Sequence, residues 1–207
     1  MNYNFYTWIQ PLYAYYLQKF PHLYRPYREE LLQTLKTDGP GALDDIYGLF
    51  DQGHSVVFAK HMARHMTGLE EIITQPEIQW KGETIAVRHV FLFRHPLSIL
   101  ASWDCKREVH QEKCSLHVTG LLSMLQLYTS LEALGQSSVV VDSDILLKHP
   151  NEVLTELSIR LGIPPNEAQL AWAPGPKSCD GYVISMPVLF AIWLRRYISK
   201  VLIAQFS

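Results

Sequence analysis

Short apolar runs alternate with amphipathic segments along the middle of this chain. Three of these runs are bounded by polar residues and predict buried strands: residues 54–60 (HSVVFAK), 87–93 (VRHVFLF) and 138–141 (SVVV). Apolar residues at helical spacing predict helices over residues 64–74, 96–107, 115–134 and 151–161. Strands and helices that alternate in this order predict an α/β fold, in which a parallel sheet with right-handed crossovers is flanked by helices.

The first 36 residues are rich in aromatic side chains, and prolines divide them. Pro11 begins a predicted helix over residues 12–20, Pro21 ends it, and Pro26 begins a second helix. No strand is predicted before Pro11. The aromatic residues fit core contacts or, alternatively, one wall of a substrate pocket.

Composition narrows the class of protein. Of the 207 residues, 48% are hydrophobic and 18% are charged, which excludes a chain that is disordered throughout. The formal net charge of -2 leaves no basic excess for a nucleic-acid backbone, so no nucleic-acid partner is predicted. Three cysteines without framework spacing and a start that lacks the signal-peptide pattern argue against secretion. Since no apolar run reaches the roughly 18 residues of a membrane span, we expect a soluble, cytoplasmic domain.

Charged side chains stand where the predicted strands end. Lys60 and His61 close the first strand, Arg94 follows the second, and Asp142 follows the third. Ligands of parallel sheets bind beyond the carboxyl ends of the strands, so we expect these side chains at one edge of the sheet. Two cations at that edge suit an anion such as phosphate or sulfate. The alternative is that Arg94 only pairs with a neighbouring acid.

Histidines and cysteines in this region raise the question of a metal. His61 and His65 are four residues apart, which would suit zinc on a helix, but Met62 stands where the metalloprotease motif needs Glu. An acid–base role, a phosphate contact and ordinary loop histidines are the other interpretations of this pair. A second group matches no common zinc-finger spacing and consists of Cys105, His110, Cys114 and His117. No bound metal is predicted.

The end of the chain is apolar. Residues 182–194 carry no charge, but Pro187 interrupts them, and Arg195 and Arg196 end the run. The run is short for a membrane span, and a helix packed on the domain or lying at a membrane surface fits it better. The predicted division is a domain over residues 1–181 and an apolar helical tail over residues 182–207. A membrane surface or another protein is the expected contact of this tail.

Four segments resemble the sulfotransferase-like branch of the P-loop NTPase superfamily: residues 56–65 (VVFAKHMARH), 90–103 (VFLFRHPLSILASW), 139–164 (VVVDSDILLKHPNEVLTELSIRLGIP) and 172–181 (WAPGPKSCDG). The last segment is similar to the sulfotransferase-like region of branched-chain-amino-acid aminotransferase-like proteins. The most specific of these motifs is R-x-P with a serine eight residues after the arginine. The resemblance covers about residues 10–181.

This resemblance implies a nucleotide-binding transferase. Its sulfuryl donor would be 3'-phosphoadenylyl sulfate, and its acceptor a small molecule with a hydroxyl or an amine. By position in the motifs, Arg94 and Ser102 resemble the pair that holds the 3'-phosphate of the donor. Lys60 resembles a lysine near the transferred group, and His61 or His65 would take the proton of the acceptor.

The start of the chain departs from the family pattern. The family begins with a strand and a loop rich in Ser, Arg and Gly, whose backbone N–H groups cradle the 5'-phosphosulfate. Here the first glycine is Gly39, and the motif G-x-x-x-x-G-K-[ST] is absent. We therefore expect an N-terminally truncated member that lacks the first strand and the phosphate loop. Two functions stay open: a sulfotransferase with weak or no turnover, and a non-catalytic remnant or interaction module that keeps the fold.

Overall fold

The computed structural model describes residues 5–9, 12–22, 28–104, 115–165 and 200–206. Its six strands in these ranges are β1 (Phe5–Ile9), β2 (Val56–Met62), β3 (Glu77–Trp80), β4 (Glu83–Phe93), β5 (Val139–Asp142) and β6 (Lys200–Phe206). The α-helices there are α1 (Tyr13–Lys19), α2 (Arg28–Thr34), α3 (Gly39–Tyr47), α4 (Glu70–Ile73), α5 (Pro96–Asp104), α6 (Leu121–Ala133), α7 (Ser143–Lys148) and α8 (Pro150–Leu161). Two 3-10 helices, Phe50–Gln52 and Ala63–Met66, complete the described elements.

The three predicted strands and most of the predicted helices are present, with shifts at their ends. The three predicted strands correspond to β2, β4 and β5. The helix predicted over residues 64–74 is instead a 3-10 helix and the short α4, because Gly68 between them has a φ of 86°. Such a left-handed backbone conformation ends a helix and favours glycine. The helix predicted from residue 115 begins only at Leu121, after Gly120 with a φ of 80°.

The sheet is mixed, which corrects the prediction of a parallel sheet. Its order is β1-β2-β6-β4-β3, and β5 also pairs with β4. The pairs β1–β2 and β4–β5 are parallel, and the other three pairs are antiparallel. Part of the difference is a hairpin: Lys81 and Gly82 connect β3 to β4 with φ angles of 49° and 89°, the positive values that a tight hairpin turn requires.

Two of the strands were not predicted. β1 precedes Pro11, where no strand was expected, and consists of aromatic and β-branched residues that favour strands (FYTWI). β6 (KVLIAQF) occupies part of the expected helical tail, so that prediction is wrong for residues 200–206. β6 pairs with β2 on one side and with β4 on the other, and it is the strand that joins the two parallel pairs. Residues 182–199 lie outside the described residues.

Helices cover both faces of this sheet. On one face, α1, α3 and α6 pack on a core that includes Val57 of β2 and Phe91 of β4. The ring of Phe91 meets that of Tyr128 of α6 edge-on, with centroids 5.5 Å apart. On the other face, Leu161 of α8 packs with Val90 of β4 and its neighbours. Burying each such side chain contributes roughly 1.5–3 kcal/mol to the stability of the fold. These two cores therefore hold β2, β4 and β5 in place at the predicted site.

Candidate functional site at the carboxyl edge of the sheet

The carboxyl ends of β2, β4 and β5 lie at the same edge of the sheet. β2 and β4 both run antiparallel to β6, and β4 is parallel to β5, so the three strands share one direction. Phe93 at the end of β4 pairs with Asp142 at the end of β5. Arg94 follows Phe93, and Ser143 follows Asp142, so the chain leaves both strands at the same level of the sheet. The predicted meeting of the strand ends is observed.

Arg94 is half-buried directly after β4. Its side chain is 20% exposed, and its Nε lies 3.9 Å from Oδ1 of Asp144, which is a long ion pair. Its Nε and Nη1 atoms are buried and have no hydrogen-bond partner among the described residues. Buried guanidinium N–H groups without an acceptor are costly, so the arrangement favours a further anionic acceptor at this position. Arg94 therefore does pair with a neighbouring acid, Asp144, but this long ion pair satisfies its guanidinium only in part.

Ser102 lies in α5, which begins two residues after Arg94 at Pro96. It is half-buried between the exposed Ala101 and the buried Trp103. From the rise of an α-helix, Ser102 is about 9 Å along the axis from the first residue of α5. A phosphate that touches both Ser102 and Arg94 would therefore lie beside α5, with the long arginine side chain reaching along the helix.

Lys60 and His61 point to opposite faces of β2, because successive side chains of a strand alternate. Lys60 is half-buried and is level with Val90 across β6. Arg94 follows Val90 by four residues, so the two Cα atoms differ by about 13 Å along the strands and about 10 Å across two strand spacings. The strand pairing therefore puts the two Cα atoms ~16 Å apart. The two cations could contact two separate anionic groups of one extended ligand.

The two predicted histidines are buried. His61 is 0% exposed, and burial lowers its pKa to about 3, with a smaller contribution from the nearby His89. A neutral imidazole that is enclosed and this weakly basic is unsuited to take a proton from an acceptor. His65 is 2% exposed, and its ring lies between those of Tyr13 and Tyr16, at centroid distances of 4.9 and 4.6 Å. These contacts favour a packing role for His65.

Asp142 has a structural role that the strand-end pattern did not reveal. Its carboxylate accepts hydrogen bonds from the backbone N–H groups of Asp144 and Ile145, at 2.7 and 3.1 Å, and so caps α7. The signal for this role is an Asp immediately before a predicted helix. The hydroxyl of Ser143 was also missed; it is buried and has no hydrogen-bond partner in the described part of the chain.

The described residues bear on two classes of protein, metal-binding proteins and membrane-spanning proteins. Within residues 5–9, 12–22, 28–104, 115–165 and 200–206, no group of three or more His, Cys, Asp or Glu side chains could hold a metal ion. Three of the four residues of the cysteine–histidine group, Cys105, His110 and Cys114, lie outside those ranges. No α-helix in the described part is both long and apolar enough to cross a membrane.

The structure is a mixed α/β sheet with flanking helices, and Lys60 and Arg94 lie near the carboxyl ends of two of its strands. The model of a family described as "Sulfotransferase domain" matches residues 2–191, and the chain therefore belongs to that family. The match extends past residue 181, where the sequence resemblance was placed to end.

Two curated plant proteins are similar to the chain. They are branched-chain-amino-acid aminotransferase-like proteins 2 and 1 of Arabidopsis thaliana, each 32% identical over 174 residues. The aligned region is 83% of this chain but only 28% of either relative, so the chain spans little more than a quarter of their length. No solved structure matches the chain.

Proposed function

We propose that the chain binds 3'-phosphoadenylyl sulfate at the carboxyl edge of its sheet, as a sulfotransferase-like domain of the P-loop type with weak turnover. The observation that carries this proposal is Arg94, whose buried Nε and Nη1 have no hydrogen-bond partner among the described residues. Membership of the sulfotransferase domain family supports the choice of donor. The expected location stays the cytoplasm.

Each cation has a distinct task in this proposal. Arg94 presents a planar, permanently charged fork to the 3'-phosphate, and Ser102 adds one neutral donor. Lys60 lies near the 5'-phosphosulfate, where a cation would stabilise the charge that develops on the bridging oxygen. The spacing between Lys60 and Arg94 supports this division, because one ligand with two separated anionic groups can contact both.

The reaction transfers one sulfuryl group. The oxygen or nitrogen of the acceptor attacks sulfur, and a new S–O or S–N bond forms while the bond from sulfur to the bridging phosphate oxygen breaks. The acceptor proton passes to a base, and 3'-phosphoadenosine 5'-phosphate leaves with the bridging oxygen. Because His61 and His65 are both buried, the described residues offer neither histidine in an exposed position as that base. This supports weak turnover.

A non-catalytic binding module is the second candidate function. Among the described residues, none of the strands β1 to β5 is followed directly by a glycine-rich loop that could cradle a phosphosulfate with backbone N–H groups. A domain of this kind would keep the nucleotide site at Arg94 without turnover. The acceptor, if there is one, would be a small molecule, and no nucleic acid takes part.

One pair of measurements tests the proposal and separates the two candidates. Calorimetric titration of the full chain with 3'-phosphoadenosine 5'-phosphate should show binding, because the product keeps both phosphates. A transfer assay with 3'-phosphoadenylyl sulfate and simple phenols should show slow turnover for a weak transferase and none for a binding module. Absence of nucleotide binding would refute both.

A further inference from the structure

Lys200 is the first residue of β6, the strand that lies between β2 and β4. It pairs with Met62 of β2 on one side and with Leu92 of β4 on the other. Residues that oppose each other in a sheet lie on the same face, and residues two apart in one strand share a face. Lys200 therefore belongs to the face of the sheet that carries Lys60, which stands two residues before Met62.

Arg94 also lies on this face of the sheet. It follows Leu92 by two residues, and Leu92 packs in the same core as Leu146 of α7. Asp144, in the same helix, has its Oδ1 atom 3.9 Å from Nε of Arg94. Helix α7 therefore covers this face beside Arg94, and the phosphate site proposed at Arg94 shares its face of the sheet with Lys60.

Lys200 stands midway between the two other cations. Along the strand direction, its level in the sheet is two residues, or about 7 Å, from that of Lys60 and from that of Arg94. Across the sheet it is one strand spacing from each, so its Cα atom is about 8 Å from the Cα atom of either residue. Lys60, Lys200 and Arg94 therefore form a diagonal row across β2, β6 and the end of β4.

The proposed donor carries three anionic groups in a fixed order along its length: the 3'-phosphate, the 5'-phosphate and the terminal sulfate. The row of cations has the same number and order when Arg94 holds the 3'-phosphate and Lys60 lies near the transferred group. We propose that Lys200 is the third cation of this site and that it binds the 5'-phosphate. This inference rests on the proposed function, since it takes the donor and its orientation from there. A lysine ammonium forms strong, charge-assisted hydrogen bonds with phosphate oxygens.

This role of Lys200 is not part of the family pattern, because the family match ends at residue 191. Among the described residues, none of the strands β1 to β5 is followed directly by a glycine-rich loop. A cation from β6 supplies part of the positive charge that the backbone N–H groups of such a loop would offer to the 5'-phosphate. The strand that joins the two halves of the sheet thus also contributes to the anion site.

Three nucleotides that differ only in their phosphates test the assignment on the full chain: 3'-phosphoadenosine 5'-phosphate, adenosine 3'-monophosphate and adenosine 5'-monophosphate. Calorimetry and ligand-observed NMR measure the affinities. Lys200→Gln should weaken binding of the bisphosphate about tenfold or more, the size of one charge-assisted hydrogen bond, and leave that of the 3'-monophosphate unchanged. Arg94→Ala should weaken binding of the bisphosphate and leave that of the 5'-monophosphate unchanged. Lys200→Arg should keep most of the affinity, and Lys148→Gln, at an exposed lysine of α7, controls for the loss of one positive charge.

The outcomes separate this inference from the function on which it rests. An unchanged affinity of Lys200→Gln for the bisphosphate would overturn the role of Lys200. An equal loss of affinity for the bisphosphate and for adenosine 3'-monophosphate would overturn it too, because the substitution would then act through the structure of the sheet. If binding of the bisphosphate still depends on Arg94 in either case, the proposed function stands without Lys200. If the wild-type chain binds none of the three nucleotides, the proposed function fails, and the role of Lys200 fails with it.

Discussion

His61 in β2 and His89 in β4 are buried on the same face of the sheet, 0% and 3% exposed. Both His61 and Phe91 oppose Val201 of β6, and His89 stands two residues before Phe91. Burial lowers the pKa of His61 to about 3 and that of His89 to about 4. Both imidazoles are therefore neutral near pH 7, because burial in the core disfavours their charged form.

The first prediction is that this pair makes stability depend on pH. An unfolded histidine titrates near pH ~6.5, so between about pH 6.5 and 4 the unfolded chain binds more protons than the folded one. The free energy of unfolding should fall as the pH falls through this window, by up to about 1.4 kcal/mol per pH unit for each histidine. Above the window this stability is fully present.

Urea unfolding at several pH values measures that slope. His61→Leu or His89→Leu should each reduce it, because the substituted side chain no longer titrates. His117→Gln, at an exposed histidine, is the matched control and should leave it unchanged. A slope that neither buried substitution alters would show that the two histidines are not its source.

The second prediction concerns β6. Without it, the facing edges of β2 and β4 lose their pairing partner, and unpaired strand edges promote aggregation. A chain that ends at Gly181 should therefore be less soluble and less stable than the full chain. Ile203→Pro should act in the same direction, because proline removes a ladder donor in the middle of the strand, and Ile203→Val should be tolerated. Better solubility of the shortened chain would contradict this role of β6 and would mean that the last residues of the full chain expose apolar surface.

The third prediction concerns Ser102, which with Arg94 forms the expected phosphate site. Ser102 offers one neutral hydroxyl, whose hydrogen bond is worth about 0.5–1.5 kcal/mol. Ser102→Ala should weaken binding of 3'-phosphoadenosine 5'-phosphate by that amount, and Ser102→Thr should restore part of the affinity. Calorimetric titration checks both variants. A null effect of Ser102→Ala would remove Ser102 from the site and leave Arg94 to hold the phosphate alone.

The sequence pattern was sufficient for the strands that carry the site. β2, β4 and β5 contain short apolar runs bounded by polar residues, which is a clear signal of a strand in the sequence, and Arg94 follows its strand as expected. β1 and β6 were missed because an aromatic run and an apolar run near the chain ends also fit helices. The pairing of β6 between β2 and β4 depends on contacts that are distant in sequence, which periodicity cannot reveal.

The arrangement of the predicted site likewise depends on three-dimensional geometry that the sequence pattern does not reveal. Lys60 and His61 are adjacent in sequence, and the family resemblance implied catalytic roles for both. Strand geometry puts them on opposite faces, and helices cover the face of His61. The partnerless N–H groups of Arg94 could not be predicted either, because they depend on how α7 positions Asp144.

Calorimetric titration of 3'-phosphoadenosine 5'-phosphate into the wild-type chain, Arg94→Ala and Arg88→Ala tests the central claim most directly. Arg88 lies in the same strand six residues earlier and is exposed, so it controls for the loss of one positive charge. The account predicts that Arg94→Ala weakens binding by about 1.5–3 kcal/mol, the value of charged hydrogen bonds, and that Arg88→Ala has little effect. Equal affinities of the wild-type chain and Arg94→Ala would contradict the account, because its anion site would not be at Arg94.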